Sequence, residues 1–205
     1  MRNPFGMDED CQNCPALRDS RTNVVHGYGD VTAEFCFVSE QPTPTADETG
    51  TPFADDSEDD PFLSLLVRLG FHEPGELDAD GLPVLDNAFV THLTRCREPS
   101  RPPTDDEIAT CEPFLNAEIR MINSEIIVPV GERALAEIAA EYTTKPADSF
   151  DVERDHASSI RGRGFELVPM VAPDDLTDAQ ADDFVAALSS LLDGDYRQTK
   201  GGRRR

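Results

Sequence analysis

Cys11 and Cys14 form a C-x-x-C pair, and Cys96 and Cys111 follow far down the chain, fifteen residues apart. Two thiolates on one tight turn can reach a single centre, and a second pair can close it. Four thiolates bind either zinc or an iron–sulfur cluster, and spacing alone does not decide between them. Cys36, the fifth cysteine, stands in the apolar run Ala33–Ser39 and reads as a core residue.

The elements that must position these residues alternate strand and helix. Ala33–Ser39 reads as a first strand, followed by a loop over residues 40–60 rich in Pro, Thr, Asp and Gly, then a helix from Pro61 to Leu69. Ala88–Leu93 reads as a second strand. Thr104-Asp105-Asp106-Glu107 is a capping box that starts a helix with Ile108, Cys111, Phe114, Leu115, Ile119 and Ile122 on its apolar side. Pro113 is expected to kink that helix or split off its first turn. Ile126–Val130 is uniformly apolar, as in a strand buried on both faces, and a helix over Arg133–Ala140 follows Gly131. Phe165–Val171 reads as a fourth strand, and Thr177 to Gln180 caps a last helix through Leu192. The alternation favours an α/β fold with a parallel sheet covered on both sides, where ligands sit at the carboxyl ends of the strands. The loops after Ser39, Leu93 and Val171 are therefore the informative ones. Residues 1–195 read as one domain, and residues 196–205 as a disordered basic tail ending in Arg203-Arg204-Arg205.

Of the 205 residues, 41 are acidic and 18 basic, a formal net charge of −23, and Lys145 and Lys200 are the only lysines. Recurrent apolar runs exclude a disordered acidic chain. A folded domain with an acidic, lysine-poor surface suggests a halophilic source, because molar salt screens self-repulsion over roughly 3 Å. High salt also weakens phosphate attraction, so local arginines matter more than net charge for any nucleic-acid partner. The chain has no apolar run long enough to span a membrane and no signal-peptide core, which places it in the cytoplasm with reduced thiols.

The stretch Arg95-Cys96-Arg97-Glu98-Pro99, Pro103-Thr104, Glu107, Cys111 and Pro113 resembles the K-C-R-P-P…P-T…E…C-x-P pattern of the family 4 uracil-DNA glycosylases. Cys11, Cys14, Leu17, Arg21, Val24-Val25 and Gly27-x-Gly29 are similar to that family's opening. Phe37-Val38-Ser39-Glu40-Gln41-Pro42 stands at its F-V-G-E-A-P-G, Gly50-Thr51-Pro52-Phe53 at its G-x-P-F, and Val130-Gly131-Glu132-Arg133-Ala134 at its L-G-x-x-A. The resemblance runs over roughly residues 8 to 192 in order. It implies a three-layer α/β sandwich with a central four-stranded parallel sheet, and a [4Fe–4S] cluster on Cys11, Cys14, Cys96 and Cys111, with zinc as the lesser alternative. It further implies excision of uracil or another deaminated base from DNA in base-excision repair, by a protein that works as a monomer.

Such a reaction needs a group near the sugar, a ring stacked on the base and hydrogen-bond donors for the leaving base, each good donor being worth roughly 3–4 kcal/mol. The resemblance assigns the carboxylate to Glu40, with Asp47 and Glu48 as reserve acids in the same loop, and the ring to Phe53. Gln41, Thr91 and Ala172 fall at base-binding positions. Arg97, Arg101, Arg161 and Arg163 are the candidates for phosphate contacts. Three of the departures from the pattern bear on how the base would be held. Thr43 replaces a glycine and would crowd a backbone approach to the base. His92 replaces the asparagine of a T-N pair, and can donate one hydrogen bond but not reproduce an amide's donor and acceptor. Ala172-Pro173 replaces a late H-P, so the histidine that would support the leaving base is absent. Three readings follow: His92 takes over with altered base specificity, the chain is a weakened glycosylase, or it is a non-catalytic iron–sulfur DNA-binding paralogue.

Overall fold

Side chains along a strand alternate between the two faces of a sheet, and the central strands use both faces for core. The computed structural model describes residues 2–52 and 60–193. Within them a sheet of six strands forms, β1 (Tyr28–Gly29), β2 (Phe35–Ser39), β3 (Ala88–His92), β4 (Ile126–Pro129), β5 (Ile160–Arg161) and β6 (Glu166–Leu167), in the order β1-β3-β2-β4-β6-β5. The inner four, β3-β2-β4-β6, are parallel, as expected, and β1 and β5 add short antiparallel edges.

Phe35 and Phe37 of β2, Ala88 and Val90 of β3, and Ile126 and Val128 of β4 meet Leu63 and Leu66 of helix α3 (Pro61–Arg68) and Phe184 and Leu188 of α7 (Asp178–Asp193). Cys36, Val38, Phe89 and Ile127 point the other way, onto Leu115 and Ile119 of α4 (Asp105–Ile122) and Ala134 and Ile138 of α5 (Glu132–Tyr142). Helices therefore cover both faces, which gives the three layers. Cys36 is fully buried in the second of these cores, where desolvation pushes its thiol far up.

The Thr104 capping box forms as expected, with Thr104 accepting from the Glu107 amide and Glu107 reaching back to the Thr104 amide. Pro113 does not split off the first turn, because α4 runs through it as one element. The proline lies on the exposed side, where the Ala109 carbonyl it leaves unbonded can meet water. The fourth strand is shorter than Phe165–Val171. Pro129 and Pro169 offer no N–H, so the ladder stops at Leu167 and resumes as a bridge between Val130 and Met170. Phe165–Val171 still holds its parallel course, because the Val168 and Met170 amides reach the Ile127 and Pro129 carbonyls at 3.0 and 2.9 Å.

Two elements lie where the sequence reads as loop. Pro44–Thr49 forms helix α2, started by Thr43, whose hydroxyl accepts from the Ala46 amide, and stopped by Gly50 in the left-handed region. Strand β1 exists because Gly27 and Gly29 have no side chains. A Cβ on Gly27 would sit 2.4 Å from the Phe89 ring, and one on Gly29 2.4 Å from the Ala88 carbonyl oxygen. The G-x-G spacing is thus a close-approach motif that lays the N-terminal segment along β3. The basic tail, residues 196–205, falls outside the described residues.

Candidate functional site

β2 runs to β3 on one side, and the chain then crosses back to β4 on the other. The crevice at the carboxyl ends of β2 and its neighbours is therefore the topological switch point of the sheet. Ser39 and His92 are register partners that close β2 and β3. By alternation both lie on the face of the sheet covered by α3 and α7. The Ser39 hydroxyl lies 2.6 Å from His92 Nδ1. His92 is 4% exposed, and its Nε2 has no hydrogen-bond partner among the described residues. Burial, with help from the positive charge of Arg95, pulls its pKa down to about 3, so the ring is neutral. Gln41, just past the end of β2, likewise buries its side-chain oxygen without a partner. Buried polar atoms are almost always bonded, so two orphans on adjacent strand ends mark a place where a polar ligand completes the structure.

Glu40, between Ser39 and Gln41 in the chain, is half-buried. Burial raises its proton affinity, and the nearby Arg133 charge opposes the shift. Arg133 itself is bonded to Asp105 and Glu137. Ala172 follows the fourth strand, and its methyl group would lie 3.7 Å from a Cβ on Gly131, so it borders the same crevice without a donor. Near it, His156 accepts from the Val171 amide through Nδ1 and bonds the Gln180 carbonyl through Nε2. Both of its nitrogens are committed, and it does not replace the missing late histidine. Phe53 and residues 54–59 lie outside the described residues.

Several expected site residues are otherwise engaged. Thr91 is one residue from His92 and therefore faces the opposite core. Its hydroxyl donates to Glu118, which makes it a support of the strand. Asp47 is buried and accepts from the Thr22 amide through both oxygens, so it is no reserve acid. Glu48 is exposed. Thr43, which the sequence makes an obstacle, is the N-cap of α2. Arg101 grips Glu107 with two bonds of 2.7 Å, which spends its charge on the capping box. Arg97 donates to the Pro42 carbonyl at 3.2 Å and ties the loop after β3 to the loop after β2. Arg161 and Arg163 are exposed, with no side-chain partner among the described residues.

The four cysteines of the first motif converge at one corner of the molecule. Cys11, Cys96 and Cys111 are buried, Cys14 is half-buried, and all are free thiols. Cys14 precedes α1 (Pro15–Ser20), and Cys111 sits in the second turn of α4. Burial raises the proton affinity of Cys14 and Cys111 and takes Cys96 to about 11, and the charges of their neighbours Cys11 and Cys111 push the same way. Donors already point at the sulfurs. Arg21 reaches Cys96 Sγ at 3.1 Å and the Cys11 carbonyl at 2.6 Å, and the Arg95 backbone amide bonds Cys111. Thiolates that repel one another in a desolvated pocket form a charge set that a cationic centre completes. Among the described residues, no three His, Cys, Asp or Glu side chains close around a single ion.

One buried ion pair joins the two places. Arg95 and Glu118 are each 1% exposed and lie 2.7 Å apart. Glu118 also accepts from the Gly27 amide and from Thr91, and Arg95 donates to the His92 carbonyl. The sequence carried a signal for this pair, since an acid at position 118 falls within the apolar stripe of α4. A cavity of about 280 Å³ lined by Arg2, Asn3, Glu9, Arg21 and His26, among others, shares no residue with the strand ends.

A parallel α/β sandwich with polar orphans at its switch point and a cysteine corner beside it defines a class of α/β domain with a candidate ligand site at its strand ends. The chain belongs to the uracil DNA glycosylase superfamily, whose sequence profile matches residues 26–192. It is 35% identical over 127 residues to a Type-4 uracil-DNA glycosylase of Thermotoga maritima, covering 62% of this chain and 59% of that one. It is 27% identical over 158 residues to the Type-4 uracil-DNA glycosylase of Archaeoglobus fulgidus, covering 77% and 68%. The match to a Type-5 uracil-DNA glycosylase of Mycobacterium tuberculosis is 29% identical over 217 aligned positions and covers 93% of this chain and 77% of that one. Against the Type-4 relatives of Thermotoga maritima and Sulfurisphaera tokodaii, the match spans 59% and 51% of their length.

Proposed function

We propose that this chain is a DNA glycosylase that hydrolyses the N-glycosidic bond of uracil or another deaminated base, with water as nucleophile. The observation that carries the reading is the pair of orphaned buried atoms, His92 Nε2 and Gln41 Oε1, at the switch point of a chain from this superfamily. An extruded base offers the polar edge these atoms lack. Glu40, held in a half-buried place that raises its proton affinity, would position the water and steady positive charge on the sugar. His92, neutral at any physiological pH, would stabilise the leaving base by hydrogen bonding rather than by protonating it. Phe53 is the proposed stacking ring. Arg97, Arg161 and Arg163 are the proposed backbone contacts, and Arg101 is withdrawn from that role because Glu107 holds it.

Cys11, Cys14, Cys96 and Cys111 would hold a [4Fe–4S] cluster. When bound, it would supply a covalent staple between the N-terminal segment, the loop after β3 and helix α4. The donor set and its mutual repulsion support this. The net charge of −23 supports a high-salt setting, in which the chain works as a monomer in the cytoplasm. Ala172, which offers no donor where the family pattern has histidine, favours a second reading as a DNA-binding paralogue without hydrolysis.

The test is an oligonucleotide panel carrying uracil, hypoxanthine, xanthine or an abasic site, run in molar potassium chloride. Release of at least one base is expected, with rates reduced about 10²-fold in His92→Ala. Binding of every oligonucleotide without release of any base would select the paralogue reading.

A further inference from the structure

Two departures from the family pattern touch each other. Ser39 stands where F-V-G-E has glycine, and His92 stands where T-N has asparagine. They are register partners on one face of the sheet, with the serine hydroxyl 2.6 Å from Nδ1. Reverting either one alone would remove this bond, so the two substitutions form one unit.

A neutral imidazole carries a single proton, and the bond made by one nitrogen decides the state of the other. The 2.6 Å contact can be donated from either side, but the Ser39 hydroxyl has no other acceptor among the described residues, so we infer that it donates its one proton to His92 Nδ1. With Nδ1 accepting, the ring proton sits on Nε2, the buried atom that has no partner among the described residues. A buried N–H without an acceptor is costly, and a ligand oxygen would remove that cost.

We propose that Ser39 is a positioning residue whose hydroxyl fixes His92 as the Nε2–H tautomer, so that the site offers a rigid neutral donor to a carbonyl oxygen of an extruded base. This rests on the glycosylase reading and narrows its substrate class. Deamination replaces an exocyclic amino group by a carbonyl, at C4 of cytosine and C6 of adenine. A fixed donor meets the carbonyl favourably and meets the amino group donor to donor. An amide side chain can turn over and offer its oxygen instead, but an imidazole held through Nδ1 cannot. The site is therefore expected to take uracil and hypoxanthine and to refuse cytosine and adenine.

Long-range ¹H–¹⁵N spectroscopy of the ¹⁵N-histidine protein reads the tautomer directly, with His92 assigned by the loss of its signals in His92→Asn. The expected wild-type state is Nε2–H. Ser39→Ala should give a mixture, and Ser39→Thr, which keeps the hydroxyl, should restore a single form. Free uracil should shift the His92 Nε2 resonance and free cytosine should not. Release of uracil from an oligonucleotide should fall roughly fivefold to tenfold in Ser39→Ala and recover in Ser39→Thr. An Nδ1–H wild type, an unchanged tautomer in Ser39→Ala, or equal responses to uracil and cytosine would each overturn the proposal. The wild-type tautomer and the responses to free bases need no variant, so a variant that fails to fold does not shield the idea. If uracil moves the Nε2 resonance while no base is released, the assignment of Ser39 and His92 stands and the hydrolase reading falls.

Discussion

Around Cys11, Cys14, Cys96 and Cys111 hydrogen-bond donors are already in place: Arg21 points at one sulfur and the Arg95 amide at another. At the ends of β2 and β3 the reverse holds. Two neutral polar atoms, His92 Nε2 and Gln41 Oε1, are buried without a partner among the described residues, and the nearby charges are those of Glu40 and Arg133. Under the proposed function, the first region would keep a permanent charged guest and the second would receive a neutral one for the length of a reaction. The difference also shows in how closely each keeps to the family pattern. All four cysteines match the pattern, whereas the strand ends have exchanged a glycine, an asparagine and a histidine for Ser39, His92 and Ala172.

The largest effect is expected where the two regions share a support. Glu118→Ala leaves Arg95 buried without its carboxylate and should cost about 3–5 kcal/mol of stability, read by denaturant unfolding. Because Arg95 touches both Cys111 and the His92 carbonyl, metal retention and base release should fall together. A variant that loses one and keeps the other would break the comparison. A smaller effect is confined to the cysteine side. The Arg101 guanidinium holds the Glu107 carboxyl down to about 2, so its contribution to stability is present above the ordinary glutamate value of about 4.3 and is lost as pH falls toward about 2. Melting temperatures over that window should fall less steeply in Arg101→Met than in the wild type, and equal slopes would show that the pair contributes nothing. The smallest effect belongs to the outer face. Arg161→Ala and Arg163→Ala should each lower the salt slope of DNA binding by about 1 without altering which base is preferred. A change of base preference would move these arginines from the DNA backbone into the site.

The longer helices α3, α4, α5 and α7 and the four parallel strands were legible because each repeats a pattern of its own, apolar runs in β2 and β4 and helical spacing in α4 and α7. The Thr104 and Thr177 caps were legible because capping is local chemistry. What the sequence could not give was which side chains face each other. Thr91 and His92 are adjacent letters, and only the pleat shows that they serve opposite faces. Arg101 looked like a phosphate contact until Glu107, six residues on, proved to hold it. The four cysteines could be grouped from their types, but the Arg21 and Arg95 donors that serve them come from other segments. Helix α2 was hidden by its composition, since Pro44 and Thr43 read as loop residues unless one asks what they do at the first turn.

The two-residue strands at the margins of the sheet have a consequence for how copies of this molecule meet. A parallel sheet with a bare edge invites another chain to extend it. Here β3 is covered by β1, which is itself bridged by Arg2, and β6 is covered by β5. A neighbour approaching either side finds two residues of antiparallel edge, at β1 in place of the five of β3. The molecule is thus guarded against edge-to-edge assembly by geometry, a protection that holds even when concentrated salt has silenced the repulsion between its acidic surfaces.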